Sequence, residues 1–218
     1  MTEEYDVFVS FKNLDEGGNP TPDAALAKEV HEFLTARMLN VFCASVSLEK
    51  LGTSAYKRAI DRALDSSHVL VAVGTTSENL DSPWVSYEWE SFFSDVLSEI
   101  KPEGRVFAYV KGVPLKALPR ALRQCQVINQ GPDSLQRLFN FVANALGPRA
   151  EPHAQAQRRL EAYAKEHDNV FNIIWDSSQS RFDIELNGSS DWPSDDPCDP
   201  VVLDELAKPW RVHCWWSD

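Results

Sequence analysis

The sequence lacks long apolar runs, and it has no stretch of consecutive basic residues longer than two. A membrane-spanning helix needs about 18–20 apolar residues in a row, so we expect no transmembrane segment. Nucleic acids and anionic membrane surfaces attract clustered Lys and Arg. Here 21 Lys and Arg are outnumbered by 33 Asp and Glu, which gives a net charge of −12. We therefore expect neither a nucleic-acid partner nor a membrane partner.

Cysteine is also scarce, with four scattered residues and no Cys-x-x-Cys pair. Zinc sites typically use closely spaced Cys and His residues, and the five histidines form no recognisable cluster, so we predict no metal site. The chain begins with acidic residues, and its first apolar run is too short for a secretory signal. These features favour a reducing, cytoplasmic setting.

What the sequence does contain is an alternation of strand-like and helix-like segments. Five short β-rich segments occur at 5–11, 41–44, 68–73, 105–110 and 126–128, and the segments between them have helical spacing of apolar residues. Such alternation predicts a parallel sheet with helices on both faces. The continuous apolar run at 68–73 is typical of a central strand. Helical spacing predicts a helix that begins near Asp23, a plausible N-cap, and further helices at 52–65 and 134–146.

The composition changes after Gly147, where the linker-like segment GPRAEP begins. Residues 151–218 hold five of the seven tryptophans, and their 6 Lys and Arg against 14 Asp and Glu give a net charge of −8. This region predicts helices at 153–166 and 201–207, strands at 170–175, 181–186 and 210–216, and mostly buried tryptophans. We therefore divide the chain into a domain of residues 1–147 and a small, acidic, Trp-rich α+β domain of residues 148–218.

Three motifs in the first domain occur in a recognisable order. They are YDVFVSF at 5–11, SLEKLG at 47–52 and HVLVAVGTTSENLDSPWVSYEW at 68–89. In this order and spacing they resemble a TIR (Toll/interleukin-1 receptor) domain over about two thirds of the chain. The resemblance implies a flavodoxin-like, five-stranded parallel sheet with strand order 2-1-3-4-5. It extends to no part of residues 148–218.

The resemblance implies two kinds of function. Many animal TIR domains are adaptors that associate through the loop after the second strand, whereas other TIR domains cleave NAD⁺ at the nicotinamide–ribose bond. In animal and plant enzymes the key glutamate lies early in the helix after that loop, but residues 51–60 contain no carboxylate. In bacterial TIR proteins of the Thoeris antiphage type, the glutamate follows Trp-Val-x-Tyr. Here Trp84-Val85-Ser86-Tyr87 precedes Glu88, so the resemblance implies that Glu88 is catalytic.

The chemistry of the residue agrees with that role. Cleavage of the glycosidic bond develops positive charge on the ribose, which a fixed carboxylate stabilises, and apolar neighbours strengthen that interaction. Glu88 also fits a plain surface carboxylate in the first turns of a helix. The remaining candidates for substrate binding are Ser10, Phe11, Lys12, Ser45, Tyr56, Trp84 and Tyr87. Trp84 fits a packing role better than substrate stacking, and Tyr56 fits a core position at least as well as a pocket wall.

The resemblance therefore implies an NAD⁺ hydrolase or cyclase that releases nicotinamide and makes ADP-ribose or a cyclic ADP-ribose signal in bacterial antiphage immunity. NAD⁺ is the substrate, and no cofactor is expected. The predicted partners are further copies of the chain, bound through TIR surfaces, and a downstream effector that responds to the nucleotide. One alternative is a non-catalytic TIR interaction module that recruits partners through the loop around Glu49 and through the acidic tail. Another is a nucleoside deoxyribosyltransferase-like enzyme.

Overall fold

The computed structural model of the protein describes residues 4–44, 53–165, 170–187 and 200–217. Ser45, the SLEKLG loop with Glu49, and the acidic segment 191–199 lie outside the described residues. The chain divides into two compact units, Met1–Gly147 and Pro148–Asp218. Each unit has its own sheet and its own hydrophobic core.

The first unit is built on a five-stranded, all-parallel sheet. Its strands are β1 (Val7–Ser10), β2 (Val41–Cys43), β3 (Val69–Gly74), β4 (Arg105–Val110) and β5 (Gln126–Asn129). Their order is β2-β1-β3-β4-β5, which confirms the predicted flavodoxin-like α/β fold class. Every residue of β3 is buried, as the continuous apolar run of this segment predicts for a central strand.

Helices cover both faces of this sheet. They are α1 (Pro22–Thr35), α2 (Thr53–Ser66), α3 (Ser77–Leu80), α4 (Pro83–Leu97) and α5 (Ser134–Leu146). Single 3₁₀ turns at Leu115–Ala117 and Leu122–Gln124 precede β5. The pair α1 and α5 is in contact, as is the pair α2 and α4. Among the described residues, no helix combines the length and the apolar character that crossing a bilayer requires.

The core between the sheet and the α2–α4 pair is made by alternate strand residues. Phe8 and Leu70 belong to one buried cluster with Ile60 of α2 and Phe92 of α4. Successive side chains of a strand point to opposite faces of the sheet. Ser10 lies two positions after Phe8, so it faces α4 as well. This alternation places a polar side chain at the end of β1, directly against the helix that carries Glu88.

The start of α1 differs from the sequence-based expectation. The sequence predicts Asp23 as the N-cap, but Thr21 is the cap and its hydroxyl accepts from Ala24 N at 3.3 Å. Pro22 explains the difference, because a proline without an N–H is favoured at the first helical position and the residue before it then becomes the cap. Asp23 is fully buried and accepts instead from Thr75 N at 2.7 Å and Thr75 Oγ1 at 2.5 Å.

The second unit is a small two-layer α+β structure. It consists of α6 (Pro152–Ala164), β6 (Val170–Asp176), β7 (Arg181–Asn187), α7 (Pro200–Ala207) and β8 (Arg211–Ser217). In the sheet of order β6-β7-β8, β6 runs antiparallel to β7 and β8 runs parallel to it. Its buried core combines Leu160 of α6, Phe182 and Ile184 of β7, and Leu203 of α7.

The tryptophans of this unit are less buried than the sequence analysis expects. Trp175 and Trp210 pack against the core with ring centroids 5.0 Å apart, but both remain partly exposed, as does Trp215. Trp192 lies outside the described residues. A unit of about 70 residues has a high ratio of surface to volume. It therefore cannot enclose several large indole rings completely.

Candidate active site

The last residue of β1 makes a hydrogen bond to the central candidate of the sequence analysis. The Ser10 hydroxyl donates to Glu88 Oε2 at 2.6 Å, and the side chain of Ser10 is fully buried. The two residues are 78 positions apart in the chain. A charge-assisted bond of this length joins the end of the strand to the second turn of α4. The position of one carboxylate oxygen is thereby fixed.

The position of Glu88 follows from how α4 is built. Pro83 occupies the first helical turn, where a proline is tolerated, and Val85, Trp89 and Phe92 are buried toward the sheet. Glu88 lies three residues after Val85 and four before Phe92, so it shares their inward-facing side. The side chain of Glu88 is therefore only 6% exposed. The apolar residues that anchor α4 on the sheet also hold the Glu88 carboxylate against the carboxyl end of β1.

Burial changes the acidity of this carboxyl group. Desolvation raises the pKa of Glu88 from 4.5 to about 7, and the hydrogen bond from Ser10 opposes that rise. Desolvation dominates because a charged carboxylate loses water contacts that a single hydroxyl cannot replace. At neutral pH the group is thus present in both protonation states. A pKa near the working pH is common for groups that take part in catalysis.

The pair lies at a distinctive place in the sheet. Ser10 is the last residue of β1 and pairs in register with Ala72 of β3. The chain leaves β1 and β3 toward opposite edges, since β2 flanks β1 and β4 flanks β3. In open α/β sheets, ligands bind beyond the carboxyl ends of the strands at such a switch point. Ser10 and Glu88 occupy that position.

The two residues that follow Ser10 in the chain are buried to different degrees. Phe11 is 7% exposed, and Lys12 is half-buried. Of the other candidates, Ser45 falls outside the described residues, and Tyr56 lies on α2. The structure brings Ser10, Phe11 and Glu88 together at the carboxyl ends of the strands.

Two exposed aromatic residues precede Glu88 on α4. Trp84 is 54% exposed and lies one helical turn before Glu88, and its ring centroid is 6.3 Å from that of Tyr87 in an edge-on arrangement. The Tyr87 hydroxyl donates to Asp61 Oδ1 of α2 at 3.2 Å, and Lys57 Nζ lies 5.7 Å from the centroid of the Tyr87 ring. Trp84 is thus not a core residue. Tyr87 connects α4 to α2, a contact that sequence reasoning missed.

Sequence reasoning also missed the link between Asp23 and Thr75. Asp23 Oδ1 accepts both bonds from Thr75, while Asp23 Oδ2 is buried and has no hydrogen-bond partner among the described residues. Thr75 directly follows β3, so this contact anchors the segment that leads toward α4. Asp23 resembled a helix cap in the sequence, and no local pattern there signalled a contact 52 positions away.

A separate groove of about 600 Å³ lies beside α4. It is lined by Trp89, Glu90, Phe93 and Leu97 of α4, among others, and by residues of the segment 119–124. Neither Ser10 nor Glu88 lines it. This groove and the Ser10–Glu88 pair are two distinct features of the same helix.

Comparisons with known proteins add no assignment. No family model matches the chain, and no curated protein matches it either. Any function assigned to this protein must therefore account for the buried carboxyl group and its position in the sheet.

Proposed function

We propose that the protein cleaves NAD⁺ at the bond between nicotinamide and ribose, with Glu88 as the catalytic carboxylate. The observation that carries the proposal is the 2.6 Å hydrogen bond between Ser10 and Glu88 at the switch point of the sheet. The choice of NAD⁺ as substrate rests on the resemblance of the three sequence motifs to TIR domains. The sheet order and the location of Glu88 are compatible with that resemblance.

In the proposed reaction the bond between ribose C1′ and the nicotinamide nitrogen breaks, and the electron pair leaves with nicotinamide. The ribosyl group acquires oxocarbenium character. The ionised Glu88 stabilises this charge and accepts hydrogen bonds from the ribose hydroxyls. Water then adds to C1′ and releases a proton to give ADP-ribose. Attack by a nucleophilic atom of the adenine within the same molecule would instead give a cyclic product.

The surroundings of Glu88 support this role in two ways. First, its burial places the carboxylate in a medium of low dielectric constant, where its interaction with a positive charge is stronger than in water. Second, Ser10 binds Oε2, which leaves Oε1 for the substrate. The fixed oxygen needs no reorganisation during the reaction, and preorganisation of this kind is a main source of electrostatic catalysis.

The exposed indole of Trp84 is the best candidate for contact with an aromatic ring of the substrate. It is 54% exposed and lies one turn before Glu88 on α4. A ring held there would place the adjoining ribose near the carboxylate. Phe11 and Lys12 follow Ser10 at the same edge and complete the proposed binding region. The proposed biological role is production of a nucleotide signal, or depletion of NAD⁺, in bacterial antiphage defence.

The proposal is tested by product analysis with NAD⁺ at high protein concentration. Wild-type protein should release nicotinamide, and mass spectrometry should detect ADP-ribose or its cyclic form. Glu88→Gln keeps size and polarity but removes the charge, so the rate should fall by about 10²–10³. Glu103→Gln is a matched control, because this glutamate is exposed and follows α4 in the chain.

Two results would contradict the assignment. Equal cleavage by wild type and Glu88→Gln would remove Glu88 from the mechanism. No cleavage by the folded wild-type protein at any concentration would favour the second candidate function, a non-catalytic interaction module. The observation that favours this second candidate is the groove beside α4, whose lining combines apolar residues with Glu90 and Arg120.

A further inference from the structure

Trp89 is buried next to Glu88 on α4 and makes a hydrogen bond that a purely apolar residue would not make. Its indole Nε1 donates to the carbonyl oxygen of Leu80 at 3.0 Å, and only 4% of the residue is exposed. Leu80 is the last residue of the single helical turn α3, nine positions earlier in the chain. A buried indole N–H usually finds a hydrogen-bond partner, and here that partner belongs to a separate element. The bond therefore ties α4 to α3 at one point.

The turn that supplies the acceptor is itself held in place. Leu80 is fully buried. A Cβ atom added at Gly74, the last residue of β3, would lie 2.5 Å from Leu80 Cγ, so the absence of a side chain there lets α3 pack directly on the end of the strand. At the other end of α3, the Ser77 hydroxyl donates to Ala117 O at 2.6 Å. The acceptor of the Trp89 bond thus belongs to an element that is fixed by its own contacts.

Two consecutive residues of α4 form directional bonds to two different elements. Glu88 accepts from Ser10 at the end of β1 at 2.6 Å, and Trp89 donates to α3. Consecutive side chains of an α-helix are about 100° apart around its axis. Two bonds that diverge by this angle define the rotation of the helix, whereas the apolar contacts of Val85 and Phe92 are non-directional.

We propose that Trp89 is the positioning residue of Glu88: its bond to Leu80 fixes the rotation of α4 at which the Glu88 carboxylate meets Ser10. A helix with its side chains has a radius of about 5–6 Å, so a rotation of about 10° moves the tip of a side chain by about 1 Å. That displacement breaks a hydrogen bond of 2.6 Å. A misplacement of about 1 Å in an active site can lower the rate by about 10²-fold. This catalytic consequence rests on the proposed function, whereas the positioning itself does not.

The first test measures how Trp89 is coupled to the bond between Ser10 and Glu88, by NMR titration of the Glu88 carboxyl carbon in the full-length protein. In the wild-type background Ser10→Ala removes the bond and should raise the pKa of Glu88 by roughly one unit. In a Trp89→Phe background the bond is already broken, so Ser10→Ala should change that pKa by less than about 0.3 units. Such a double-mutant cycle separates a specific coupling from a general loss of stability.

Phe92→Leu is the matched control, because Phe92 is also a buried aromatic residue of α4 but has no side-chain hydrogen-bond donor. It removes apolar contacts of the same helix and leaves the bond of Trp89 in place. In this background Ser10→Ala should still raise the pKa of Glu88 by roughly one unit. If Trp89→Phe does not fold, replacement of Trp89 by 3-benzothienylalanine gives the same test, because this analogue keeps the bicyclic ring and replaces only the N–H by sulfur. Circular dichroism of each variant verifies the fold.

A crystal structure of the Trp89→Phe variant tests the geometry directly, and the distance from Ser10 Oγ to Glu88 Oε2 should exceed about 3.5 Å. A distance that stays at 2.6 Å would overturn the inference. An effect of Ser10→Ala on the pKa of Glu88 that is the same in the wild-type and Trp89→Phe backgrounds would overturn it as well. Neither measurement uses NAD⁺, so both give an answer even if the protein does not cleave NAD⁺.

Discussion

The two sides of α4 show how differently two glutamates of one helix can behave. Glu88 and Glu90 are two residues apart, yet Glu88 packs against the sheet and is only 6% exposed. Glu90 is exposed and lines the groove beside α4. A separation of two residues turns a side chain by about 200° around the helix axis. The inner carboxyl group therefore has a pKa raised to about 7 by desolvation. The exposure of a glutamate on α4 therefore depends on its position around the helix axis.

The largest expected difference between variants of the buried Glu88 and of the exposed Glu90 is in the rate of NAD⁺ cleavage. Replacement of the inner carboxylate by an amide should lower this rate by about 10²–10³. The product analysis described above measures this loss. A smaller loss, below about tenfold, would indicate that Glu88 assists binding but does not stabilise the transition state.

The second prediction compares the stability of the protein with Glu88→Gln and with Glu90→Gln as a function of pH. The pKa of Glu88 is raised from 4.5 to about 7 in the folded state. Below pH 4.5 Glu88 is protonated in both the folded and the unfolded state, so its ionisation does not change the free energy of unfolding. Between pH 4.5 and about 7 only the unfolded state ionises readily, so the free energy of unfolding decreases as the pH rises.

Above pH 7 the buried, ionised Glu88 lowers the free energy of unfolding of the wild type by about 3 kcal/mol, because each unit of pKa shift corresponds to about 1.4 kcal/mol. Glu88→Gln avoids this cost. It should therefore be more stable than the wild type by that amount at pH 8 and equally stable near pH 4. Glu90→Gln should differ from the wild type by less than about 0.5 kcal/mol throughout. Urea unfolding at several pH values measures both, and equal curves for wild type and Glu88→Gln would show that Glu88 is not buried as described.

The third prediction concerns the hydrogen bond that holds the inner carboxylate. Ser10→Ala removes a donor that lowers the pKa of Glu88. A hydrogen bond to a charged group contributes about 1.5–3 kcal/mol, so the pKa of Glu88 should rise by roughly one unit or more. The ionised carboxylate is the proposed active form. The rising limb of kcat/KM against pH should then move to higher pH by the same amount.

An NMR titration of the Glu88 carboxyl carbon checks the same shift without substrate. Ser86→Ala is a control on α4, because the Ser86 hydroxyl donates to Pro83 O at 3.3 Å. If Ser10→Ala leaves the titration of Glu88 unchanged, the hydrogen bond does not control its ionisation.

The last prediction concerns Trp84, whose replacement should have only a small effect on stability. Because this indole is 54% exposed, Trp84→Ala should change the free energy of unfolding by less than about 1 kcal/mol. Loss of a stacking partner should nevertheless raise KM for NAD⁺ by about two- to tenfold, since aromatic contacts contribute about 0.5–1.5 kcal/mol beyond burial. A KM equal to that of the wild type would remove Trp84 from the binding region.

Much of the fold is predictable because it depends on local patterns. Apolar β-rich runs locate the strands, and β4 extends over Arg105–Val110 as the sequence predicts. Helical spacing likewise locates α2 and α5 to within a few residues. The N-cap of α1 was predicted incorrectly at Asp23, because Asp is a common cap and its contact with Thr75 is not visible in the local sequence.

The sequence alone determined which chemistry was present: a carboxylate in the segment WVSYEW, a serine at the end of the first strand, and helices and strands in an order that requires a parallel sheet. Only the tertiary structure decided that Ser10 lies 2.6 Å from Glu88 and that Glu90 faces away from both. It also decided that residues 119–124 form the second wall of the groove beside α4. Secondary structure follows from neighbours along the chain, whereas burial, acidity and complementarity depend on groups that are brought together from distant positions.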